Sequence, residues 1–236
     1  MTTLRLSGDP EADKLLSKDP LALLIGMVLD QQIPLEWAFA GPAELRRRLG
    51  HDLDAKEIAA MDPETLAAAF SARPALHRYP GSMAARVQEL CRVLVDDYGA
   101  RAANVWKGAP SGTDLLARVR GLPGFGDQKA KIFVALLGKQ LGVRPDGWQD
   151  VSSPYGDPGT HRSVADITDQ ASLDRVRAYK QEMKAKNKAA VAKAASSTKS
   201  ATTKSAATKK SAVTKKSAPA GKVAAKKTKT AGVGGR

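Results

Sequence analysis

The chain has 236 residues, enough for one medium domain or two small ones, and a formal net charge of +14. Its single cysteine, Cys91, excludes an internal disulfide, a four-cysteine zinc site and a four-cysteine iron–sulfur cluster. The start MTTLRLSGDPEADK is polar and the longest apolar run, Leu21 to Leu29, is far short of a membrane span, so a soluble, cytoplasmic protein is expected.

The charge is segregated. From Lys184 to the end there are 15 basic residues and no acid, whereas residues 1–183 hold 23 basic and 24 acidic side chains. This suggests a near-neutral body over 1–183 and a basic tail over 184–236.

The body reads as all-α. Asp19-Pro20 supplies an N-cap and a first-turn proline for a nearly all-apolar helix over 21–32, and Pro34 ends it. Two short helices are expected over 34–41 and 42–50, the second closed by Gly50. Helices over 54–61 and 62–70 follow, the latter opened again by Asp-Pro. The segment 81–99 is a long amphipathic helix with Met83, Val87, Leu90, Cys91 and Leu94 on one stripe. Further helices are expected over 111–122 and 127–142, then a Gly/Pro/Ser-rich loop from about 143 to 160. A last helix begins near Asp169 and runs into the tail. The tail repeats a loose Ser/Thr-Lys-Ser-Ala unit and has too little apolar surface to offset its ordering entropy, so 190–236 is expected to be disordered. Lysine-rich chain of this kind contacts a nucleic-acid backbone without reading sequence. A purely solubilising tail is the alternative.

Between the helices at 111–122 and 127–142 lies Leu122-Pro123-Gly124-Phe125-Gly126, which makes the pair a helix-hairpin-helix. The glycines permit positive φ and let a ligand approach the main chain. The second helix presents free N–H groups at its positive end, a site for a DNA phosphate that is indifferent to base. Leu122 and Phe125 are expected to pack inward, and Ala130 to allow close helix packing. A plain helix end followed by another helix is the bland alternative, but LPGFGxxxA is more specific than a lone G-x-G.

The stretch LPGFGDQKAKIFVALLG resembles the hairpin of the helix-hairpin-helix/Gly-Pro-Asp superfamily of DNA glycosylases. That resemblance implies an all-α, multi-helix glycosylase fold over most of the body, and an essential aspartate in the loop after the hairpin helix. In LGVRPDGW, Asp146 lies 20 residues after Gly126, about the family spacing, and becomes the catalytic candidate. An ordinary Asp-Gly turn is the alternative; Asp150 and Asp157 are poorer candidates in the same loop. Upstream, MVLDQQIP is similar to the family's wedge segment: Gln32 best matches the glutamine inserted into DNA, and Gln31 lines the pocket. Gly124, Gly126 and the amides that follow, with Leu122, Phe125, Gln128 and Lys129, form the expected DNA-contacting set.

The implied reaction is base excision. A damaged or mismatched base in double-stranded DNA is flipped, and its N-glycosidic bond is hydrolysed while a carboxylate stabilises the charge developing at C1′. Some relatives add a lysine nucleophile two residues after the second glycine, where this chain has Gln128. Lys129 is one residue on, about 100° around the helix, so a monofunctional enzyme is expected, with a bifunctional glycosylase/lyase using Lys129 as an alternative. The other alternative is a non-catalytic, nucleoid-associated DNA-binding protein. No iron–sulfur cluster or other cofactor is expected, although the resemblance leaves room for a monovalent cation at the hairpin. Trp37 and Trp148 are candidates for the base pocket, and Tyr155 and His161 for stacking, each against a packing role. Arg46, Arg47, Arg48 and Lys131 are weaker candidates for backbone contact. A monomer is expected.

Overall fold

The computed structural model describes residues 3–186 and Lys188. The fold is all-α, with no strand among the described residues. The segment read as disordered, 190–236, lies outside the described residues, as does nearly all of the tail from 184.

The helices in order are α1 (Pro10–Lys18), α2 (Pro20–Leu29), α3 (Leu35–Leu49), α4 (Ala55–Ala60), α5 (Pro63–Ser71), α6 (Pro80–Tyr98), α7 (Gly112–Arg120), α8 (Asp127–Gln140) and α9 (Trp148–Ser152). A last helix, α10, runs over 170–186. The Asp-Pro signal starts three of them. Asp9, Asp19 and Asp62 each accept a backbone N–H of the first turn, from Glu11, Leu21 and Thr65, with proline at the first helical position. α1 was not expected from sequence, although Asp9-Pro10 carries the same signal. α3 is one helix where two were expected. Pro42 inside it lacks only its own N–H, and the buried faces on either side, with Phe39 and Leu45, hold the helix together. The loop after α8 also contains a short helix, α9.

α2 is buried on every side from Leu21 to Leu29. Gly41 of α3 lets the two helices touch, because a Cβ there would lie 2.6 Å from Leu29 Cδ1. The α6 stripe of Met83, Val87, Leu90, Cys91 and Leu94 is buried as expected. Burial pushes the Cys91 thiol up to about 12, so it is an inert core residue. α7 and α8 pack on each other and are joined by the loop 121–126.

Candidate nucleic-acid interface

Leu122 and Phe125 are buried, and Phe125 meets Phe133 edge-on at 5.6 Å between ring centroids. Both fix the hairpin and offer DNA only their backbone. Ala130 is fully buried, as helix packing requires. The two glycines differ. Gly124 has φ +87°, and a Cβ there would lie 2.9 Å from Arg86 Cδ and 3.4 Å from Val28 Cγ2. The fold itself therefore demands glycine at 124. Gly126 has φ −76°, correcting the expectation of positive φ, and nothing lies within 4 Å of where its Cβ would be. No neighbour in the fold requires glycine at 126. A bare backbone there leaves the amide end of α8 open to an approaching group.

That end has no side-chain cap, unlike α1, α2, α5 and α7. Its first helical bond is donated by Ala130 N to Gly126 O, which leaves the preceding amides of the turn without helical partners. Asp127 would oppose an anion at this place, but its carboxylate pairs with Arg120 and, at 3.7 Å, with Lys131. Gln128 is exposed and donates through Nε2 to the Tyr155 hydroxyl at 2.8 Å. Tyr155 is thus brought to the start of the hairpin helix.

Lys129 points from α8 into the end of α2. Its Nζ donates to Met27 O at 2.6 Å and Val28 O at 3.2 Å, closing carbonyls that the last turn of α2 leaves open. Burial pushes its pKa down to about 8, against the pull of Asp30; Arg86 lowers it further. The end of α2 carries the two glutamines, and they have separate fates. Gln31 is anchored at both ends of its amide. Nε2 donates to Val28 O at 2.7 Å and lies 3.3 Å from Met83 Sδ, and Oε1 accepts from Arg86 Nη1 at 3.2 Å. Its carbonyl accepts from His77 Nε2 at 2.8 Å. The Gln31 amide is thus held in place by α2 and α6. Gln32 is exposed, has φ 58°, and makes no side-chain hydrogen bond among the described residues. Sequence reasoning missed His77 and Arg86. Neither belongs to a motif, and each meets Gln31 across more than forty residues of chain.

The remaining candidates lie elsewhere. The Asp146 carbonyl accepts from Gly112 N at 2.7 Å, at the first residue of α7, whereas the hairpin loop follows its last. Nine residues of helix, about 13 Å of rise, separate the two ends. The Asp146 side chain is exposed there and is not brought to the hairpin glycines. Trp148 fills a notch late in α8, where a Cβ on Gly138 would fall 2.3 Å from its ring, so it packs α9 onto α8 and not a base pocket at the hairpin. Trp37 is half-exposed at the start of α3, donates from Nε1 to Ala75 O at 3.2 Å, and lines a groove with Pro74 and Leu76. His161 takes a bond from Arg175 at 2.9 Å. Arg46 and Arg47 pair with Asp52 and Glu44, and Arg48 ties Glu44 to the Ala69 and Pro74 carbonyls. These arginines serve the fold's own contacts.

Residues 25–198, which span the α2 end, the hairpin and α8, match the HhH-GPD superfamily of base excision DNA repair proteins. The chain belongs to this family. No curated protein matches it. The match takes in both the hairpin loop and the glutamine loop at the end of α2. Here Arg86, Val28 and Lys129 join them directly. No helix among the described residues is long and apolar enough to cross a membrane.

Proposed function

We propose that this HhH-GPD protein is a monofunctional DNA glycosylase that extrudes a damaged or mismatched base from double-stranded DNA and hydrolyses its N-glycosidic bond. The observation that carries the reading is the junction of two loops. The uncapped amides of α8 suit a phosphate, and the exposed Gln32 stands on a loop fastened to the same helix through Lys129. Gln32 would fill the gap left by the extruded base.

The absence of a strand-cleaving step is supported by the contacts of two residues. Gln128 holds the position of the lyase nucleophile and bonds Tyr155, while Lys129 has its ammonium spent on the Met27 and Val28 carbonyls. Asp146 keeps the family spacing, but Asp30 is the carboxylate near Lys129 at the junction. Whichever of the two reaches the extruded nucleotide would stabilise positive charge at C1′.

A base-release assay tests the reading. Wild type, Asp146→Asn and Asp30→Asn are each given duplexes with uracil, hypoxanthine, 8-oxoguanine, mismatched adenine, 5-hydroxymethyluracil or alkylated purines. Release by wild type, with strand breaks only after alkali, is the expected result and names the lesion. Loss in one variant alone assigns the carboxylate. Tight DNA binding without release from any duplex would favour a non-catalytic binding protein. The basic tail is proposed to hold the DNA backbone non-specifically, in a cytoplasmic, nucleoid-associated monomer. Deleting 190–236 should weaken binding to undamaged duplex and flatten its salt dependence.

A further inference from the structure

We infer that His77 is the positioning residue of the glutamine loop: its imidazole holds the Gln31 carbonyl so that Gln32 projects. The inference rests on the proposed base extrusion for its functional meaning.

His77 is 1% exposed, between α5 and α6. Its Nδ1 faces the Tyr79 backbone N–H at 3.0 Å and so must accept. The proton therefore sits on Nε2, which donates to Gln31 O at 2.8 Å. The Tyr79 amide thus selects the tautomer that can grip the loop. The grip has a purpose that the fold alone does not supply. Gln32 sits in the left-handed region at φ 58°, a conformation unfavourable for a residue with a Cβ. It makes no side-chain bond that would repay this cost. Lys129 holds the end of α2, and the side-chain bonds next to Gln32 fall on Gln31, from α2, α6 and His77. A loop built only for stability would not put its anchors on one residue and its strain on the next, exposed one. Tyr79 and Arg78, exposed beside His77, form a cation–π pair at 5.5 Å on the chain that leads away from the grip.

His77→Asn and His77→Gln separate the two bonds. The Asn oxygen can accept from Tyr79 N but its side chain is too short to reach the Gln31 carbonyl; the Gln amide nitrogen reaches it. Two readouts apply to both variants. One is hydrogen exchange in the peptide 27–34. The other is 2-aminopurine fluorescence beside a tetrahydrofuran abasic site in a duplex, which reports insertion without the true lesion being known. In His77→Asn, exchange should quicken about tenfold, the size of one buried hydrogen bond, and the fluorescence change should be lost. His77→Gln should keep both near wild type, and binding of undamaged duplex should be unchanged in either. A folded His77→Asn with wild-type exchange and fluorescence overturns the inference. If that variant does not fold, the imidazole nitrogen resonances of wild type decide. The Nε2–H tautomer should be seen, and Nε2 should shift with the tetrahydrofuran duplex but not with undamaged duplex; equal spectra overturn the inference. A wild type that gives no fluorescence change and no preference for the abasic duplex overturns base extrusion itself.

Discussion

The two ends of the α7/α8 pair use buried polar groups in opposite ways. At the end away from the hairpin, Lys139 pairs with the buried Asp166 at 2.6 Å, and Asp166 also accepts from the Arg162 and Ser163 amides. Gln140 donates to the Val164 and Ala165 carbonyls, and the Trp148 ring closes over Gly138. That network closes on itself. At the hairpin end, Lys129 bonds inward to the Met27 and Val28 carbonyls, while Arg86 and His77 converge on Gln31, one residue short of a strained, exposed neighbour. Buried polar groups alone therefore do not mark function. A polar network that ends on an exposed residue in an unfavourable conformation is what sets the hairpin end apart.

The sharpest way to break the far end is Lys139→Met. It leaves the Asp166 carboxylate buried without its cation and should cost about 3–5 kcal/mol in urea unfolding. Binding of DNA by the protein that remains folded should be unchanged, since nothing at the hairpin is touched.

At the hairpin end, Lys129 gives a pH signature. Its pKa is near 8 when folded and 10.5 otherwise. Below pH 8 both states are charged, and the folded state carries the full cost of burying the ammonium. As pH rises from 8 to 10.5 the folded lysine loses its proton first, so stability from this group rises, by up to about 3 kcal/mol. Lys129→Met should remove that rise relative to wild type in urea titrations across this range.

The hairpin glycines sharpen the comparison within one loop. Gly124→Ala meets both a positive φ and Arg86, and should cost about 1–2 kcal/mol in thermal unfolding as well as weaken DNA binding. Gly126→Ala enters open space and should leave stability within about 0.5 kcal/mol, yet still weaken DNA binding. Equal stability losses at both positions would remove the distinction.

A further small effect is expected for Gln32→Gly. Relief of φ 58° should raise stability or leave it unchanged, within about 1 kcal/mol, while insertion at an abasic site is lost. Loss of stability instead would mean that the Gln32 side chain supports the fold.

Much of this was legible in the chain. The helices announced by Asp-Pro, the buried α2, the α6 stripe and the inward Leu122 and Phe125 all follow from signals within a few residues of each other. α1 carried the same signal and was overlooked in a polar stretch. Pro42 misled because a helix held on both sides by packing tolerates one missing bond. Sequence by itself determined the all-α class, the hairpin and the pair of glutamines at the end of α2. Tertiary structure alone decided which glutamine is free, where Lys129 spends its charge, and that Asp146 lies at the opposite end of α7 from the hairpin loop. Caps, periodicity and glycine φ act over one or two turns. The bonds that set Gln31 and Lys129 join residues 46 to 102 positions apart, and no local pattern encodes such pairs.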